Sequence, residues 1–160
     1  MKTLPIKQLN IKEVFPTTED ARDWIIENPE QLATALQTEL SYVMHNPKIT
    51  YMIRPDICAL EKQTSYRFAV MIDLDEISER DFVKFLTVAA FTDIKKIVWV
   101  VSRFSNINHY ILEWLNDHAK GNVEFVVLNL SAYEMPNSKI ATKLERLERI
   151  PVPAIYEDLI

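Results

Sequence analysis

Arg54-Pro55-Asp56-Ile57-Cys58-Ala59-Leu60 and Tyr66-Arg67-Phe68-Ala69-Val70-Met71-Ile72-Asp73-Leu74-Asp75 are two apolar runs separated by the polar segment Glu61–Ser65. Their β-branched and aromatic content predicts strands over Met52–Leu60 and Tyr66–Asp75 joined by a turn. Ser78–Thr92 follows, with Phe82, Phe85, Leu86, Ala89 and Ala90 on one helical stripe, and then Ile97–Ser102 as another strand. Val70, Ile72 and the Val98–Val101 run are apolar on both faces, as strands covered on both sides require. A strand, helix and strand in this order predict a parallel pair joined by a right-handed crossover, and hence an α/β fold. Asp56 and Asp73 interrupt this apolar pattern. A carboxylate in such a strand is costly unless it is paired, hydrogen-bonded or bound to a metal, which makes these two the first functional candidates. Asp75, two residues beyond Asp73, falls on the same strand face by the two-residue period.

Outward from this centre, Met1–Phe15 alternates loosely and predicts an edge strand or an extended arm. Thr17 or Thr18 can cap a helix whose first turn carries Glu19 and Asp20, where negative charge suits the helix dipole. Pro29 after Asn28 divides this segment into two short helices or one kinked helix. Leu40–Met44 reads as a strand and His45–Lys48 as a turn. Beyond the central stretch, Asn106–Ala119 reads as a helix with Ile107, Tyr110, Ile111, Trp114 and Leu115 on one face, ended by Gly121 in a left-handed conformation. Val123–Leu130 is a further strand, and Lys139–Arg149 has a helical pattern through Ile140, Leu144 and Leu147. Residues 1–150 are expected to form one domain, followed by a tail over 151–160.

The composition narrows the function classes. A net charge of −5 argues against a broadly basic nucleic-acid binder. The single glycine, Gly121, excludes a P-loop and a dinucleotide fingerprint, both of which need several glycines. The single cysteine, Cys58, excludes an internal disulfide and fits a reducing compartment, so a cytoplasmic location is expected. No apolar run approaches membrane-spanning length, and the N-terminal residues lack a signal-peptide layout.

The order helix, three strands, helix, strand, helix, strand resembles the restriction-endonuclease-like fold of the PD-(D/E)xK nuclease superfamily. More specifically, the chain resembles a divergent member of an uncharacterised prokaryotic family with a V-I-E-N-Q type motif. The resembling blocks are Glu19…Trp24-Ile25-Ile26-Glu27-Asn28, Asp56-Ile57-Cys58-Ala59, Val70-Met71-Ile72-Asp73-Leu74-Asp75, Leu86-Thr87-Val88-Ala89-Ala90-Phe91-Thr92-Asp93, Ile97-Val98-Trp99-Val100-Val101 and Asn108-His109-Tyr110-Ile111-Leu112-Glu113-Trp114-Leu115-Asn116. The resemblance implies a nuclease in which Asp56 and Asp73, with Glu19 from the first helix, hold Mg²⁺ or Mn²⁺ against a DNA phosphate. Asp75 stands where the family carries lysine or glutamine, and the family's two histidines after this strand are absent.

That substitution divides the functional expectations. Asp75 cannot supply the positive charge of the usual lysine, so it either becomes a third metal ligand or marks a degenerate site. One reading is therefore a nuclease fold kept as a binding module in DNA metabolism, defence or a mobile element, with DNA, a protein or a second copy of the chain as partner. The other is an active divalent-metal-dependent DNA endonuclease. Lys84 is a candidate replacement for the missing lysine. Each candidate also has a plainer role: the aspartates as capped strand ends, His109 as a helix cap or surface group, Cys58 as a small buried residue, and Trp24, Trp99 and Trp114 as core.

Overall fold

The computed structural model describes residues 6–45, 55–91, 94–119 and 121–147. In chain order these form β1 (Lys7–Leu9), α1 (Ile11–Val14), α2 (Thr18–Glu27), α3 (Pro29–Leu36), β2 (Leu40–His45), β3 (Ile57–Glu61), β4 (Arg67–Asp73), α4 (Glu79–Phe91), β5 (Lys96–Val101), α5 (Asn106–His118), β6 (Glu124–Glu134) and β7 (Ile140–Arg146). The start of the expected strand at Met52, most of the turn after His45 and the 151–160 tail lie outside the described residues.

All seven strands form one mixed sheet in the order β1-β6-β5-β4-β3-β2, with β7 also paired to β6. β2, β3 and β4 are successive antiparallel neighbours, whereas β4, β5 and β6 run parallel. The parallel strands need crossovers, and α4 and α5 supply them. Leu128 and Asn129 of β6 pair with β5 and also with β7, so those two strands lie on opposite edges of β6. β1 pairs with Ala132–Glu134 on the edge that β5 has left free.

Alternation along the strands sends side chains into two cores. Ile57, Phe68, Val70, Val98, Val100, Val126 and Leu128 pack with Ala21, Ile25, Leu32 and Leu36 of α2 and α3. Ala69, Met71, Ile97, Trp99, Phe125 and Val127 pack on the other face with Phe85 and Val88 of α4 and Leu112 of α5. The helix punctuation follows local chemistry. Thr17 caps α2 in a reciprocal capping box with Asp20, Pro29 opens α3 at its first turn, and Ser105 caps α5. Gly121 has φ +85°, a left-handed conformation that other residues rarely adopt, in the turn after α5.

The structure corrects several expectations. Residues 140–146 form strand β7, not a helix. Their apolar positions do recur at helical spacing, but pairing with the protruding half of β6 satisfies the backbone of both strands. The expected edge strand or extended arm over Met1–Phe15 is, among its described residues, the three-residue β1 followed by the one-turn helix α1. Leu86 is 40% exposed, so it leaves the stripe of α4 that meets the sheet. Trp114 is 52% exposed instead of buried, and His109 is buried instead of lying at the surface.

Candidate functional site

The antiparallel pairing of β3 with β4 brings Asp56, the residue before β3, beside the last residues of β4. Its backbone N–H donates to the Val70 carbonyl at 3.0 Å, and its Oδ2 accepts the Ile72 N–H at 2.7 Å. Asp73 ends β4 on the face covered by α4. Trp99 of β5 is on that face too, and its Nε1–H donates to Asp73 Oδ2 at 2.6 Å. Both carboxylates are half-buried.

Burial dominates their protonation. It raises the Asp56 carboxyl above its ordinary value, opposed by the Ile72 hydrogen bond and by the positive charges of Lys84 and Arg22, while Glu19 adds a further rise. Asp73 is pushed up to about 6, again chiefly by burial; the Trp99 hydrogen bond and Lys84 oppose the rise, and Asp81 and Asp56 reinforce it. Asp56 and Asp73 therefore feel each other, and both feel the ammonium of Lys84 on α4. Glu19 and Arg22 of α2 approach this end of the sheet from the opposite helix layer. At the carboxyl end of β4, the fold thus gathers two half-buried acids, one lysine, and an acid and a base from the first long helix.

Asp75 goes elsewhere. β4 ends at Asp73, so the two-residue alternation no longer fixes the direction of Asp75. Its carboxylate pairs with the ammonium of Lys12 in α1, and both side chains are largely exposed. Among the described residues, no three His, Cys, Asp or Glu side chains come together as a group that could hold a metal ion. Of the expected clamp, Asp56 acts on Asp73 and Glu19 acts on Asp56, but the fold ties Asp75 to Lys12. The donor set thus does not match a carboxylate clamp that includes Asp75.

Sequence reasoning missed Trp99 as the partner of Asp73. The signal was present: in the parallel register Trp99 pairs with Met71, and Asp73 lies two residues further on the same face. Lys12 and Arg22 carried no comparable signal, because their roles depend on helices packed from distant parts of the chain. Burial raises the Cys58 thiol above its ordinary value, which keeps it protonated and poorly nucleophilic. Burial lowers His109, which packs edge-on against Phe104 at 4.7 Å between centroids. It is a neutral core group. In comparisons with known proteins, no family model, no curated protein and no solved structure matches this chain.

Proposed function

We propose that this protein is a nuclease-like fold with a degenerate carboxylate site, acting as a binding module in DNA metabolism, defence or a mobile element. The order α2–α3, β2, β3, β4, α4, β5, α5, β6 supports a restriction-endonuclease-like reading of the mixed α/β architecture. The observation that carries the degenerate reading is the Asp75–Lys12 ion pair. A working site in which no other cation replaces the usual lysine would need Asp75 as a metal ligand beside Asp73, yet this carboxylate faces a cation from α1. The remaining acids serve the scaffold: Asp56 closes the β3–β4 ladder and Asp73 holds the Trp99 indole. With a net charge of −5, a protein partner meets less general repulsion than a polyanion would.

Lys84 favours a second reading, an active Mg²⁺- or Mn²⁺-dependent DNA endonuclease. It is the cation felt by both Asp56 and Asp73, and it supplies from a helix the charge that Asp75 cannot. Incubation of supercoiled plasmid DNA with the protein and Mg²⁺ or Mn²⁺ separates the readings. The degenerate site predicts no nicking above a metal-free control. Metal-dependent cleavage abolished by Asp56→Ala and by Lys84→Ala would overturn it in favour of the nuclease.

A further inference from the structure

Strand β7 stops short of the start of β6, and the shortfall leaves a cavity. Among the described residues, the last backbone hydrogen bond along this edge runs from the Leu147 N–H to the Val127 carbonyl at 3.0 Å. The next rung of an antiparallel ladder would fall on Phe125. Asn116 of α5 occupies it instead. Its Oδ1 accepts the Phe125 N–H at 2.8 Å, and its Nδ2 donates to the Phe125 carbonyl at 2.9 Å. One side chain thus satisfies both backbone groups and keeps a further strand off this edge. The space left between α5, α3 and the ends of β6 and β7 has a volume of about 620 Å³, the size of a small-molecule site.

The α5 wall of this cavity is graded from end to end. His109 lines it at one end and is only 8% exposed, with Phe104 edge-on against its ring. Among the described residues, no group hydrogen-bonds the imidazole. A buried polar group without a partner is costly, and the open side of this one is the cavity. Leu112, with Phe125 and Leu144 across from it, makes the middle apolar. Asp117 lies on the same side of α5, about 12 Å further along the axis, and is exposed.

The charges on the wall select the sign of a ligand. Glu113, Asp117 and Glu145 line the cavity, and the one base among the described lining residues, Arg146, is held by Glu124 at 3.2 Å. Asp117 has no ion-pair or hydrogen-bond partner among the described residues. Burial lowers the His109 pKa, so its neutral ring does not oppose a positive charge. Anions are disfavoured here, and a cation with an apolar body is matched. We propose that this cavity binds a small organic ammonium compound, with the cation at Asp117, the apolar body along Leu112 and Leu144, and a hydroxyl group hydrogen-bonded to His109. The site is separate from Asp56 and Asp73, and the proposal stands whether or not those acids are catalytic.

Calorimetric titration of the full chain with tyramine, and with aminohexanol as the aliphatic form of the same layout, tests it. Saturable binding of at least one of them, at one site per chain, is expected. The amines that lack the hydroxyl, phenethylamine and hexylamine, should bind about fivefold more weakly, the effect of one hydrogen bond. Hydroxyphenylpropionate, with a carboxylate in place of the ammonium, should not bind. Asp117→Asn should weaken the amine about fivefold and leave the circular dichroism melt unchanged, because the residue is exposed. In proton–nitrogen NMR spectra of the imidazoles, the His109 ring nitrogens should shift with the hydroxylated amine and stay in place with the one lacking the hydroxyl. Absence of binding by both tyramine and aminohexanol would overturn the proposal. So would equal affinity for hydroxyphenylpropionate, an Asp117→Asn variant that binds as the parent does, or ring shifts confined to His118 and His45.

Discussion

On one face of the sheet, α2 and α3 bury Ala21, Ile25, Leu32 and Leu36 and turn no large exposed apolar side chain outward. On the other, α4 and α5 bury Phe85, Val88 and Leu112 yet leave Val83, Leu86, Ile107 and Trp114 exposed. Both layers satisfy the sheet beneath them, so the difference does not come from the core. It comes from the outer halves of the helices. α2 carries the exposed Asp23 and Glu27 away from its buried side, whereas α4 and α5 place Val83, Leu86, Ile107 and Trp114 there. The α2–α3 layer thus spends its apolar side chains on the sheet, whereas the α4–α5 layer keeps a second group of them in contact with solvent.

The strongest way to break this comparison is at its buried side. Phe85 is fully buried, stacked on Trp99 with centroids 4.5 Å apart and tilted against Phe125 at 5.2 Å. Phe85→Ala should destabilise the protein by about 3–5 kcal/mol in a denaturant melt, the range for truncating a core aromatic. Leu32→Ala, its counterpart under α3, should cost about 2–5 kcal/mol. A loss near zero at either position would mean that the corresponding layer is not packed on the sheet as described.

A smaller effect should come from pH, at the edge where the two layers meet. Asp73 has a folded-state value of about 6 against an ordinary 3.8, chiefly because burial disfavours its charged form. The folded state therefore holds this proton more tightly than the unfolded chain does. Its contribution to stability is fully present below the unfolded value and is lost as pH rises through the folded one. Asp56, raised in the same direction, adds to the trend. Between the ordinary value and about pH 6, stability attributable to Asp73 should fall with rising pH, and Asp73→Asn should flatten that slope. Carboxyl carbon NMR should place the Asp73 titration near 6. An ordinary value there would show that the Trp99 indole and solvent already compensate for its burial.

The sequence allowed the central sheet to be read because its signals are local. Apolar runs bounded by polar turns mark β3, β4 and β5, and the capping box at Thr17 and Asp20 marks α2. β7 was not legible, since Ile140, Leu144 and Leu147 have helical spacing and only the partner edge of β6 makes them a strand. Asp56 and Asp73 were legible as acids out of place. The direction of Asp75 was not, because it depends on where β4 stops and where α1 packs. The same limit hid the inner side of α5. Ile107, Tyr110, Ile111, Trp114 and Leu115 make the more apolar stripe, and hydrophobicity alone assigns that stripe to the core. The sheet instead receives His109, Leu112 and Leu115, because the turn at Phe104 and Ser105 sets how the helix enters.

Leu86 offers the finest test of the comparison, because it sits next to Phe85 and differs from it only in direction. Both are large apolar residues in the middle of α4, and propensity does not separate them: leucine and alanine are both good helix formers. Phe85 meets Trp99, while Leu86 is 40% exposed. If α4 has a second apolar side that the folded chain does not use, Leu86→Ala should change stability by no more than about 0.5 kcal/mol in a dilute denaturant melt. A cost of several kcal/mol already present in dilute solution would place Leu86 in the core and erase the difference between the two helix layers.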